Sequence, residues 1–333
     1  MKKKRSYMIV LVVIGIFIVV YFITCLIFSN FNFKVVFGKE ERTLNYLDCT
    51  ENVSEIVVNV ASDNLIFNKS EDNAVHVKYY NSNLYQFDIA YDDGLLTINQ
   101  KRLWYSIFNF NKKYIIEIAV PDTNIYSATL KLSSGNALIK DVNLDSIKIE
   151  LSSGDVNIED LKSNLLDINT SSGKIAVNNI IADRTNIKAS SGAIDIKNLN
   201  SLELDTQSSS GSIRISNITV DKAQFRLSSG DLDLIDSSIK SLTINGSSGK
   251  IESSKLSLET CNIDTSSGNV ILGVVTPDVS IYKMNLNTAN GSISVSGGGY
   301  DITTKSSLIT GNGTQLIKVN VSSGKLIINF EVL

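Results

Sequence analysis

The tripeptide Ser-Ser-Gly recurs with its glycine at Gly135, Gly154, Gly173, Gly192, Gly211, Gly230, Gly249 and Gly268, every step being 19 residues. Two related turns follow at wider steps, "TANG" ending at Gly291 and "VSSG" ending at Gly324. A fixed period of this length marks a stacked repeat, in which one unit cannot bury its apolar side alone and each copy shields the next. With the glycine as position 1, positions 3 and 5 carry Ile175 and Val177, Ile194 and Ile196, Ile213 and Ile215, Leu232 and Leu234. Position 8 carries Val142, Leu161, Ile180, Leu199, Ile218 and Leu256. Positions 13 and 15 carry Ile147 and Ile149, Leu166 and Ile168, Leu242 and Ile244. This alternation of period two, broken by polar turns, predicts two or three short strands per unit and no helix. Stacked about 4.8 Å apart, equivalent strands pair in parallel and their aliphatic side chains fill one column. The expected fold is all-β: a parallel β-solenoid, or β-helix, with 19-residue coils, right-handed by the crossover rule.

The glycine supplies a positive φ at one corner, and the paired serines are expected to bond neighbouring backbone groups and to stack hydroxyl on hydroxyl. As nucleophiles those serines would need a general base. The single histidine, His76, lies outside the regular coils, so the repeat reads as architecture.

The other constraint is at the N-terminus. Met8 to Phe28 is an uncharged apolar run of 21 residues, about 32 Å long as a helix and enough to span a bilayer core. Lys2, Lys3, Lys4 and Arg5 precede it and predict a cytoplasmic N-terminus with the rest of the chain outside. The run is longer than a signal-peptide core, and "FSNFNF" offers no small-residue cleavage pattern, which favours an uncleaved anchor. Thr24 directly before Cys25 fits lipid attachment poorly. Cys49 and Cys261 are far apart, so the three cysteines form no disulfide framework. Without the four N-terminal cations, the net charge of −3 becomes −7. Nucleic acid is thereby disfavoured as a partner.

These readings divide the chain into a cytoplasmic tail at 1–6, an anchor at 7–28, a stalk at 29–50, irregular first coils with an aromatic segment at 51–130, and the regular solenoid at 131–333. "YDDGLLTINQ" reads as a hairpin turn followed by a strand, and "YIIEIAVPD" as a strand stopped by Pro121. The long step between Gly291 and Gly324 reads as an extended loop or distorted terminal coils.

The ordered series "IVVNVASDNLIF", "DDGLLTI", "IEIAVPD" and then "SSGDV", "SSGKI" and "SSGDL" resembles the putative-adhesin family of bacterial β-strand-repeat proteins, over roughly residues 50 to 333. The resemblance implies a surface-exposed envelope β-solenoid, linked in some members to adhesion or envelope stress, and no catalytic residues. Many relatives carry a helical or zinc-binding domain at one end, which this chain replaces with its anchor.

One segment interrupts the strand grammar. "LWYSIFNFNKKY" holds Trp104, Tyr105, Phe108, Phe110 and Tyr114, an aromatic group suited either to binding sugar rings or a protein, or to capping the first coil against edge-to-edge aggregation. Asp155, Asp195, Asp231 and Asp233 lie near corners but recur at no fixed position, and no metal or cofactor is implied. The functional expectation is a membrane-anchored, non-enzymatic binding or structural module. Its partners would be the bilayer through residues 8–28 and an envelope protein or surface polysaccharide, with no nucleic acid. A carbohydrate-active β-helix lyase or hydrolase is the alternative, and seven successive 19-residue steps leave little room for the long loops such clefts use.

Overall fold

The computed structural model describes residues 2–28, 42–82, 85–102, 114–122 and 125–333. The apolar run forms helix α1 (Lys2–Phe28), of which Val10–Ile27 is long and apolar enough to cross a membrane. Thr24 turns its hydroxyl back onto the carbonyls of Tyr21 (2.7 Å) and Val20 (3.1 Å), so this polar group needs no water.

The strands before the repeat are β1 (Arg42–Cys49), β2 (Glu55–Val60), β3 (Asn64–Lys69), β4 (Val75–Ser82), β5 (Tyr85–Asp92), β6 (Leu95–Arg102), β7 (Ile115–Val120) and β8 (Ser127–Ser134). The repeat itself is β9 (Ala137–Ser153), β10 (Val156–Ser172), β11 (Ile175–Ser191), β12 (Ile194–Ser210), β13 (Ile213–Ser229), β14 (Leu232–Ser248) and β15 (Ile251–Ser267). The chain ends with β16 (Val270–Thr276), β17 (Tyr282–Gly297), β18 (Tyr300–Thr304), β19 (Ser307–Thr310) and β20 (Gln315–Val332).

Each repeat is one continuous 17-residue strand wrapped around a coil, where short separate strands were expected. Ladder pairing resumes beyond each corner because residues meet their equivalents 19 positions away, Ile175 on Ile194 and Ile194 on Ile213, with only positions 7, 11 and 18 skipped between β11 and β12. The bends lie at the glycine and at position 7, where Asp141, Asp160, Asn179, Asn198, Asn217, Asp236 and Lys255 adopt φ between 46° and 58°. Asn and Asp enter this left-handed region at lower cost than other side chains. The interior takes positions 3, 5, 8, 10, 13, 15 and 17. Positions 10 and 17 mix aliphatic residues such as Leu144, Val220, Ile239 and Leu227 with Ser163, Ala182, Ser201, Thr170, Ala189 and Ser208, all buried, so their inward pattern is weaker in the sequence.

The two ends of the stack are threaded out of chain order. On the face of positions 13 to 17 the strands lie β5–β6–β2–β8–β9, and on the face of positions 3 to 5 they lie β1–β4–β7–β3–β9. The rung of β2 and β3, first in sequence, is therefore sandwiched between later ones. The opposite end repeats the device: β20 enters between β15–β16 and β17, and the antiparallel β18 and β19 close the outside. The wide step to Gly324 is thus an interleaved coil, with Gly324 stacked between Gly268 and Gly291. The "YDDGLLTINQ" hairpin is present as β5–β6, turning at Asp93 and Gly94 with φ of 43° and 85°. Cys25, Cys49 and Cys261 are free thiols, and burial pushes Cys261 up to about 12.

Candidate functional site

The Ser-Ser-Gly corner works differently from the sequence expectation. At Gly192 (φ 122°) a Cβ would collide with the carbonyl of Gly173 on the next rung, so glycine is required by close approach as well as by φ. The paired serines face water. Among the described residues, Ser248 is the one corner serine whose hydroxyl donates within the chain, to the Ser228 carbonyl at 3.3 Å. No hydroxyl-on-hydroxyl ladder forms there. The brace sits one residue earlier, at position 17, where Thr170 donates to the Ser172 carbonyl (3.1 Å) and Thr265 to that of Ser267 (3.3 Å). The recurring Thr or Ser before the pair, as in "NTSSG" and "DTSSG", carries that signal.

Of the aromatic segment, Trp104, Tyr105, Phe108 and Phe110 lie outside the described residues. Tyr114 is described and half-buried, just before β7. A buried polar cluster lies where the start of β1, the corner between β2 and β3, β6 and the residue before β7 meet. Arg42 Nη1 lies 2.8 Å from Asp63 Oδ2, Gln100 Nε2 donates to the same carboxylate at 2.6 Å, and the Tyr114 N–H donates to Asp63 Oδ1 at 3.2 Å. Gln100 accepts the N–H groups of Ala61 (2.9 Å) and Ser62 (3.1 Å), which fastens the first corner. The Arg42 guanidinium also stacks over the rings of Tyr114 (4.0 Å) and Tyr85 (4.8 Å). Sequence reading placed Arg42 in the stalk and did not single out Asp63 or Gln100. Their partners come from four separate strands or loops, and no local pattern joins them.

His76 stands opposite Asp48 in the antiparallel β1–β4 pair. Its Nδ1 is 2.7 Å from Asp48 and its Nε2 is 2.8 Å from Asp72. The hydrogen bond to Asp48, then the one to Asp72, raises the imidazole pKa, and backbone and imidazole hydrogen bonds hold Asp72 near 2. The arrangement is a clamp between β1, β4 and the 70–74 turn, distant in sequence from the serine columns.

The outward side chains form columns with one member per rung. At position 7, Asn217 donates to Asn198 and Asn179 donates to Asp160. At position 16, Asn287 donates to Asn320 (3.0 Å) and Asn320 to Asp264 (2.6 Å). Such ladders satisfy amides on a flat polar surface.

A family model described as Toastrack DUF4097 matches residues 53–237 and 182–273, two overlapping stretches that take in the interleaved first rung and the regular coils. The chain belongs to the Toastrack DUF4097 family. Solved structures similar to this Toastrack chain include proteins described as putative adhesins. One is from Parabacteroides merdae (18% identity, TM-score 0.49, 72% of this chain and 98% of that one) and another from Parabacteroides distasonis (19%, 0.47, 70% and 95%). A third, from Bacteroides fragilis, has 19% identity and a TM-score of 0.38 over 68% and 96%. No curated protein matches the Toastrack chain.

Proposed function

We propose that this Toastrack chain is a membrane-anchored, extracytoplasmic β-solenoid of the cell envelope that acts as a non-enzymatic binding and structural module. The observation that carries the reading is α1, whose apolar stretch Val10–Ile27 is of spanning length and whose first residues include Lys2, Lys3, Lys4 and Arg5. Supporting it, the Arg42–Asp63 pair fixes the start of β1 to the first corner of the solenoid, which ties the post-helix chain into the fold. A rigid stack displaying one side chain per rung in straight columns suits repeated contact with an extended partner.

The test is topology in intact cells expressing the full chain with an N-terminal tag. A membrane-impermeant protease should remove the solenoid and leave the tag protected. A solenoid that survives until the membrane is broken overturns the reading.

A further inference from the structure

We propose that the face bearing positions 9 and 11 holds a binding groove for an uncharged or cationic glycan chain, running from Tyr126 to Asp183. The assignment rests on the binding-module reading for its biological setting but not for its chemistry.

The position-11 column is set by the ladder. The Ser146 N–H donates to the Tyr126 carbonyl at 2.9 Å, which puts Tyr126 one rung from Asp145. The registers Leu165↔Ser146, Leu165↔Arg184 and Arg184↔Glu203 then carry the column on through Asn164, Asp183 and Leu202. Five rungs span four intervals, about 19 Å. The floor is formed by Leu144, Ser163 and Ala182 at position 10, all buried, and a shallow groove of about 410 Å³ runs over it from Tyr126 to Asp183, with Asp122 and Lys162 also on its walls and Leu202 one rung beyond.

Its two ends are apolar and unusually open. Tyr126 is 63% exposed, and Leu202 and its neighbour Ile181 are each 55% exposed. Between them stand groups that accept and donate hydrogen bonds. Asp145 and Asp183 have no ion-pair partner among the described residues, and Asn164 reaches Asp145 over a long 3.4 Å.

A protein partner needs a contiguous dry centre, which apolar spots separated by two carboxylates do not supply. An anionic polymer meets Asp145 and Asp183, which outnumber Lys162, the one cation among the groove's lining residues. A sugar chain fits both halves. Its hydroxyls donate charge-assisted bonds to Asp145 and Asp183 and exchange bonds with the Asn164 amide. Its C–H faces lie on the Tyr126 ring and on Ile181. The rung spacing of about 4.8 Å is close to the length of one β-linked pyranose, so successive rungs can meet successive sugar units over this short groove. An amino sugar gains an ion pair with the same acids.

The experiment is calorimetric titration of the full-length chain in detergent micelles with three hexasaccharides: β-1,4-linked N-acetylglucosamine, its deacetylated cationic form, and galacturonate. The first two should bind, the cationic one more tightly, and galacturonate about tenfold or more weakly. Tyr126→Ala should weaken binding about tenfold, and Asp183→Asn should reduce the preference for the cationic form, with melting temperatures unchanged. Absence of binding by the first two, equal binding of galacturonate, or affinities indifferent to both substitutions overturns the proposal. Purified protein reports on the groove whatever its orientation in cells. A protease-protected solenoid that still binds glycan would sink only the envelope reading, and an exposed solenoid that binds none would sink only this one.

Discussion

Arg42 and Asp63, 21 residues apart, meet at 2.8 Å with both side chains almost wholly out of water. The pair joins the first residue of β1 to the corner between β2 and β3, and Gln100 completes the carboxylate's shell at 2.6 Å. Removing one partner strands the other charge in the interior. Arg42→Ala should therefore cost about 3–5 kcal/mol. Arg42→Met with Asp63→Leu should recover much of that loss. Urea unfolding of the three variants decides it, and a single-variant loss under about 1 kcal/mol would mean that water reaches the site.

The stack should tolerate changes at the corner serines and not at the glycine beside them. Ser191→Ala removes an exposed hydroxyl and should lie within about 0.5 kcal/mol of the parent. Gly192→Ala places a Cβ against the carbonyl of Gly173 at a φ of 122° and should cost on the order of 3 kcal/mol or more. Thermal melting of the two proteins separates close approach from hydroxyl bonding as the reason for the repeat.

Lys255 holds a φ of 51° at a position that six other coils give to Asn or Asp. Its ion pair with Asp236, at 3.5 Å, is exposed and contributes little. Lys255→Asn should stabilise the protein by about 1 kcal/mol, a rise in melting temperature of about 2–4 °C. A fall would show that the lysine has a role beyond its backbone.

His76 is the chain's only histidine, so a single imidazole resonance reports its titration. Its pKa in the folded protein should exceed its ordinary 6.5, chiefly through Asp48 and then Asp72. A raised value means that the clamp's contribution is full below 6.5 and is lost as pH rises through the folded pKa. Asp72, held near 2, works in the opposite direction: its contribution is present above the ordinary carboxylate range and lost as pH falls towards 2. Amide exchange at the β1–β4 junction, corrected for intrinsic rate, should quicken between pH 6 and pH 9, and His76→Gln should abolish that dependence.

The period, the alternation and the glycine column were legible in the sequence because each depends on neighbours within one 19-residue unit and on the unit's repetition. Ile194 and Ile196 point inward for the same reason in every coil. Positions 10 and 17 were harder to read, since Ser163, Ala182 and Thr170 interrupt columns that Leu144, Val220, Ile239, Leu151 and Leu227 share. The same applies to the groove. Tyr126, Asp145, Asn164 and Asp183 are scattered polar and aromatic residues in the chain and a straight column in the fold.

By itself the sequence determined that this chain stacks parallel coils behind an apolar helix, because one repeated hydrogen-bonding register is the cheapest way to bury so many periodic aliphatic side chains. Tertiary structure alone decided the order of the rungs at both ends, the insertion of β20 between β16 and β17, and the meeting of Arg42 with Asp63. Those choices rest on which strand edges remain unpaired once the regular coils have formed, and an unpaired edge is a property of the assembled stack.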